Sequence, residues 1–117
     1  MRVAGIGCRA GAPLAALEEV LDALPGPVDM LATIPERGKE VLRLARARRM
    51  DLRVIPSAHL QGVTTPTQSG RVQALYGTGS VAEAVSLVAC GQGARVLGQR
   101  VVSADGSATA ALAEGEE

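Results

Sequence analysis

Arg2-Val3-Ala4-Gly5-Ile6-Gly7, continuing through Cys8-Arg9-Ala10-Gly11 to Pro13-Leu14, is the stretch that decides the fold. Val3, Ala4 and Ile6 form a short apolar run that ends among glycines, the pattern of a buried strand entering a turn. Pro13 stands at a plausible first helical position, where a missing N–H forfeits no intrahelical bond. Leu14, Leu17, Leu21 and Leu24 then recur at helical spacing, with Glu18, Glu19 and Asp22 on the other side. Pro25-Gly26-Pro27 stops that helix. The result is a strand–glycine loop–helix unit.

The same alternation continues outward. Met30-Leu31-Ala32-Thr33-Ile34 reads as a second strand, and Pro35-Glu36 opens a helix through about Arg49 whose inner face carries Val41, Leu44 and Ala45. Leu52-Arg53-Val54-Ile55 is a third short strand ended by Pro56, and Ser57 to Gly62 reads as a loop or a single helical turn. Thr65-Pro66 has the form of a cap followed by a first-turn proline, with the helix continuing from Val72 to Tyr76. Ser80-Val81-Ala82-Glu83 matches a capping box, with Ser80 as cap and Glu83 reaching back. The helix behind it, Val81 to Cys90, is apolar nearly all round and belongs inside the fold. Ala94–Ser103 and Ser107–Ala113 are strand-like and joined by Ala104-Asp105-Gly106, whose Asp-Gly signals a hairpin. The fold expected is α/β: a three-layer α/β/α sandwich with a mixed, mostly parallel sheet and a C-terminal antiparallel hairpin. Glu114, Glu116 and Glu117 read as a short solvated acidic tail.

Composition narrows the function classes. The 117 residues suit one domain, 1–117, able to bury roughly two thirds of its unfolded surface, and 47% apolar content argues against disorder. No apolar run approaches the roughly 18–20 residues of a membrane span, and no signal peptide is evident at the start. Twelve Lys and Arg balance twelve Asp and Glu, so no overall field recruits nucleic acid or membrane. Tyr76 is the sole aromatic residue, too few for a single-strand stacking platform. Cys8 and Cys90 are isolated, and His59 is the sole histidine, which leaves neither a disulfide framework nor a two-histidine zinc motif. The expectation is a compact cytoplasmic domain without metal or cofactor.

Two glycine loops carry the candidate chemistry. In Gly5-Ile6-Gly7-Cys8-Arg9-Ala10-Gly11 a strand gives way to a helix, where backbone N–H groups favour an anion; the spacing G-x-G-x-x-x-G is not the dinucleotide fingerprint. Gly77-Thr78-Gly79-Ser80 is a second such loop, and both would lie along the carboxyl edge of an open α/β sheet. A tight turn in the first and ordinary capping in the second explain the same residues. Seven basic residues, Arg37 to Arg53, face three acidic ones between positions 36 and 53, an excess of four that is either a solvated face or a surface for a polycarboxylate. His59 beside Ser57 is a candidate general base, and Cys8 next to Arg9 a candidate nucleophile; an exposed loop histidine and a small residue under a turn are the plain readings. Cys90 reads as packing. Tyr76 is either core or a stacking ring.

Four segments in order, Gly5-Ile6-Gly7-Cys8-Arg9, Leu31-Ala32-Thr33-Ile34 with Glu40, Gly79-Ser80-Val81-Ala82-Glu83-Ala84 and Ala108-Thr109-Ala110-Ala111-Leu112-Ala113, resemble the family of CobE and the C-terminal domain of CbiG, of cobalamin (vitamin B12) biosynthesis. The resemblance covers nearly the whole chain. It implies a role in building the corrin ring, with a precorrin-type tetrapyrrole as ligand and other cobalamin pathway enzymes as further partners. Precorrins carry many carboxylates, which suits helix N-termini and guanidinium forks. The implied ligand-binding residues are Gly5, Gly7, Cys8, Arg9, Thr33, Ser57, Gly77, Thr78, Gly79, Ser80 and Glu83. CbiG-like proteins open a lactone on a cobalt-precorrin and release acetaldehyde. A hydrolase reading would therefore use Cys8 or His59 with Glu83 assisting, whereas the CobE-like reading is a binder acting as carrier or accessory. A third reading is a subunit without ligand, whose Val81–Cys90 helix docks on a partner.

Overall fold

The computed structural model describes residues 1–115; Glu116 and Glu117 of the acidic tail lie outside the described residues. Strands β1 (Arg2–Cys8), β2 (Met30–Thr33), β3 (Asp51–Val54), β4 (Arg95–Val102) and β5 (Ala108–Glu114) form one sheet in the order β3-β2-β1-β5-β4. β1 pairs parallel with β2 and β2 with β3, while β5 runs antiparallel to both β1 and β4. Four strands thus point one way and only β5 is reversed, the mixed, mostly parallel sheet that the sequence predicts.

Alternation along β1 separates the two faces. Ala4 and Ile6 point to the side covered by α1 (Leu14–Asp22) and α2 (Gly38–Arg48), where Leu17, Val20, Val41 and Leu44 are buried with Leu31 and Leu112. Val3 points to the other side, where α4 (Val81–Cys90) packs Ala84, Val85 and Ala89 against Ala32, Ile34 and Ala113. These are the three layers. Because α4 buries its apolar residues on its own sheet, the reading that reserves it for a partner is corrected.

Gly5 is what lets α4 lie so close. A Cβ at this position would overlap the Ala82 carbonyl oxygen and stand 2.9 Å from the Ser86 nitrogen, so only glycine fits. Gly5 and Gly7 are therefore strand residues rather than loop residues: both sit in the β1–β5 ladder, opposite Ala111 and Thr109.

Some boundaries differ from those the sequence suggests. Pro13 is the residue before α1, not its first, and Pro35–Arg37 is a separate 3-10 turn ahead of α2. Ser57–Leu60 forms the single 3-10 turn anticipated for that stretch. Thr65-Pro66 does not start a helix. The Thr65 hydroxyl donates to the Thr67 carbonyl (2.8 Å) and the Gln68 amide donates to the Thr65 carbonyl (2.6 Å), a turn closed by its own side chains. Helix α3 (Gly70–Tyr76) begins later, capped by the Ser69 hydroxyl, which accepts from the Val72 N–H.

The hairpin forms around Asp105, whose carboxylate accepts from the Ser103 hydroxyl (2.6 Å) and from the Ser107 N–H and hydroxyl. These donors stabilise the ionised form and hold its pKa down to about 2. Glu114 is not simply solvated: it ends β5 by pairing with Arg2 (3.0 Å) and Arg95 (3.4 Å).

Candidate functional site

A cavity of about 370 Å³ opens at the carboxyl end of β1. It lies between the β1 and β5 ends, the start of α4 and the outer helix α3. Open α/β sheets place ligands at such strand ends, where successive connections cross to opposite faces. Here the β1–α1–β2–α2–β3 connections use one face, and the return through α4 uses the other.

Four arginines from four separate segments reach this cavity: Arg9 from the turn after β1, Arg37 from the 3-10 turn, Arg71 from α3 and Arg100 from β4. Ile34, Val72, Leu75 and Tyr76 supply an apolar wall, and among the described residues no carboxylate lines the cavity. Among the described residues none of the four arginines makes a salt bridge, although Arg2, Arg48 and Arg95 do. Arg37 alone is held by the protein: its Nε donates to the Cys8 carbonyl (2.8 Å) and an Nη donates to the Glu36 carbonyl (2.9 Å). Both acceptors are neutral, so no carboxylate bonds it directly, although Glu40 lies close enough for the Arg37 charge to help lower its pKa. Leu75 is 65% exposed over the opening, an unusual place for a large apolar side chain without a ligand or partner to cover it.

Arg100 reaches the cavity because β4 is irregular. Leu97 pairs with Leu112 and Val101 with Ala110, so the intervening residues bulge out of the ladder. Gly98, at φ +68°, makes the turn that a residue with a side chain resists. Neither Arg71 nor Arg100 is marked in the sequence, since each is an isolated arginine whose aim is set by tertiary structure. Arg37 belongs to the basic stretch, and only the fold separates it from its neighbours. Arg48 pairs with Asp22 (2.8 Å) and Glu18 (3.2 Å) to tie α2 to α1, Arg43 donates to the Ala12 carbonyl, and Arg53 donates to the Ala89 carbonyl. The stretch is therefore not one continuous surface for an acidic ligand.

The two glycine loops do meet, but as structure more than as anion cradle. The Gly7 position faces Ala82 at the start of α4, which brings the end of β1 against the Ser80 cap. In the first loop three N–H groups are committed: Arg9 donates to the Ser107 carbonyl, Ala12 to the Arg9 carbonyl, and Gly11 to the Glu40 carboxylate (2.8 Å), which lowers the Glu40 pKa. In the second, Gly77 ends α3, the buried Thr78 hydroxyl donates to the Val63 carbonyl (2.6 Å), and Gly79 packs against the Thr67 carbonyl. Of the residues singled out from the sequence, Gly7, Cys8, Arg9 and Ser80 line the cavity, and Gly5, Gly77, Thr78 and Gly79 do not.

The remaining candidates lie elsewhere. Thr33 is fully buried and its hydroxyl donates to the Ile6 carbonyl (2.8 Å), which locks β2 to β1. The Ser57 hydroxyl donates to the Glu36 carboxylate, and His59 is exposed; neither lines the cavity. Glu83 does not reach back to complete a capping box. The Ser80 hydroxyl accepts from the Glu83 N–H (3.4 Å), but the Glu83 carboxylate is buried and accepts from the Thr67 N–H (2.9 Å) and hydroxyl (3.2 Å) instead. It anchors the segment ahead of α3. Cys8 does line the cavity, yet burial raises its thiol pKa to about 11, with Glu40 pushing the same way and Arg37 and Arg43 only partly opposing. A protonated thiol is a poor nucleophile. Cys8, His59 and Glu83 are not brought together as nucleophile and base.

Comparison with known proteins identifies the family and the fold. Residues 2–113 match the model of the family described as cobalamin synthesis G C-terminus. The crystal structure of cobalamin biosynthesis protein chiG from Agrobacterium tumefaciens is 32% identical, with both chains wholly covered and a TM-score of 0.75. That of CobE, a protein from the cobalamin biosynthetic pathway, is 27% identical over 97% of this chain and 89% of that one, with a TM-score of 0.81. A cobalamin biosynthesis protein G homolog from Sulfolobus solfataricus, 20% identical with a TM-score of 0.70, shares the fold over 98% of this chain and 37% of its own. A search of curated protein sequences finds no match.

Proposed function

Because this chain belongs to the cobalamin synthesis G C-terminus family, we propose that it serves cobalamin biosynthesis by binding a precorrin-type tetrapyrrole in the four-arginine cavity, as a carrier or accessory to the pathway's enzymes. One observation carries the reading: Arg9, Arg37, Arg71 and Arg100 converge on one cavity that has an apolar wall and, among the described residues, no carboxylate. A precorrin has the matching chemistry, a broad apolar ring edged with carboxylates. Guanidinium groups pair with carboxylates through short, charge-assisted bonds, and Val72, Leu75 and Tyr76 give the ring a surface to lie on. The ligand-binding set is accordingly Gly7, Cys8, Arg9 and Ser80 from the sequence reading, joined by Arg37, Arg71 and Arg100.

The lactone hydrolase reading has no comparable support, because its three candidate groups lie apart and the thiol is protonated. A titration with a polycarboxylate tetrapyrrole, followed by pigment absorbance, tests the proposal. The Arg71 and Arg100 side chains are exposed and hydrogen-bond to nothing among the described residues, so Arg71→Ala and Arg100→Ala should leave the melting temperature nearly unchanged. Each should raise Kd about tenfold, the value of one charge-assisted bond. Unaltered affinity in both variants would overturn the site. Pigment recovered chemically unchanged supports a binder; a consumed lactone would make the protein an enzyme.

A further inference from the structure

The two edges of the sheet differ. β4, at one edge, is broken by the bulge between Leu97 and Val101, which prevents a regular ladder with another strand. β3, at the other, is regular: Asp51, Leu52, Arg53 and Val54 pair in unbroken parallel register with Met30 to Thr33. The Ile55 N–H donates to the Thr33 carbonyl (2.8 Å), and strand alternation then points the backbone groups of Asp51 and Arg53 toward β2 as well. Leu52 and Val54 therefore turn their N–H and C=O groups outward, to the uncovered side.

We infer that β3 pairs antiparallel with β3 of a second copy about a two-fold axis through Leu52. That register is self-complementary. Leu52 meets Leu52 as a hydrogen-bonded pair, each N–H donating to the other's carbonyl. Asp51 stands opposite Arg53 of the second copy, and Arg53 opposite its Asp51, so the one symmetric arrangement matches two opposite charges at once. Val54 stands opposite Met50, whose own N–H is already bonded to the Ala45 carbonyl and whose C=O continues the outward row. By alternation Leu52 and Val54 share the α2 side, where a groove of about 560 Å³ runs between β3 and α2. Leu42 (39% exposed) and Val54 (44% exposed) line it, two of the few large apolar side chains left at the surface. The second copy extends the sheet and covers this strip. The arginine cavity lies away from this edge, at the end of β1, so both cavities of a dimer stay open.

Charge exchange tests the register directly. Asp51→Arg places like charges opposite each other in the symmetric pair, and so does Arg53→Asp. Mixing the two variants restores both matches, because every opposed pair then joins a basic side chain of the first variant to an acidic side chain of the second. By sedimentation velocity from micromolar to near-millimolar concentration, the unaltered chain should dimerise and each variant alone should bind itself at least about tenfold more weakly. The equimolar mixture should recover the dimer. A chain that stays monomeric throughout overturns the proposal, as do variants that dimerise undiminished or a mixture of folded variants that does not recover. A chain monomeric alone that binds another pathway protein through β3 overturns it too. Amide hydrogen exchange gives a check that needs no variant: protection at Leu52 and Val54 should rise with protein concentration, with none gained at Gln99 and Arg100 on the opposite edge. Protection independent of concentration overturns self-pairing.

Discussion

Cys8 beside Arg9, at the end of a strand, has the outline of an activated cysteine. The fold instead half-buries it, and loss of water outweighs the attraction of Arg37 and Arg43, so the pKa climbs from 9.0 to about 11. The sign of the stability effect follows. A pKa raised on folding means that the folded state holds this proton more tightly than the unfolded one. The stability it contributes is whole below pH 9.0 and declines as pH rises from there to about 11. The same shift governs reactivity. Alkylation of the Cys8 peptide, followed by mass spectrometry, should be slower near neutral pH than that of a free cysteine, with the rate still rising as pH approaches 11. Full free-thiol reactivity near neutrality would mean a thiolate, and would revive Cys8 as a nucleophile.

At the level of elements, the decisive contact is β1 against α4. Gly5 removes the side chain that would hold the helix off, and two of its three nearest neighbours there are backbone atoms that cannot rotate away. Gly5→Ala should therefore destabilise the protein by about 3 kcal/mol, the upper end of overpacking costs, as measured by urea denaturation. A loss under about 1 kcal/mol would mean that α4 can shift outward, and with it the Ser80 cap at the cavity. This contact also marks where the sequence is readable. The β1–turn–α1 unit and the Asp105-Gly106 hairpin are legible because local residues determine them: helical leucine spacing in one, hydroxyl and N–H donors around one carboxylate in the other. The end of helix α3 at Tyr76 is legible but its start is not, because no residue in it is buried and the start depends on how the Thr65–Gln68 turn closes. Glu83 is misread for a related reason. A capping box is a pattern within one helix, whereas its true donor, Thr67, comes from a different segment sixteen residues earlier. The glycines likewise read as a ligand cradle, since sequence alone cannot tell a glycine that admits a ligand from one that admits a helix.

Across the whole molecule, charge is balanced in number but not in place. Twelve basic and twelve acidic residues cancel, yet among the described residues the ion pairs gather elsewhere, Arg48 with α1 and Glu114 with Arg2 and Arg95, and the four cavity arginines make no salt bridge. A neutral chain thus presents a local positive field at one end of its sheet. That field should act on a ligand's carboxylates at close range, weakened by salt as the screening length falls from roughly 10 Å at 0.1 M to 3 Å at 1 M. A polycarboxylate tetrapyrrole should then bind more than about tenfold less tightly when ionic strength is raised across that range, a loss equivalent to roughly 1.4 kcal/mol. The neutral methyl ester of the same pigment separates charge from ring. It keeps the apolar contacts with Val72, Leu75 and Tyr76 but offers nothing to the guanidinium groups, so its binding should be weaker at low salt and nearly flat as salt increases. Equal salt dependence for acid and ester would locate recognition outside the arginines, and equal affinity would reduce the site to an apolar surface. A steep slope for the acid alone, reduced in Arg71→Ala with Arg100→Ala, would tie the affinity to the charges that separate segments of this fold bring together.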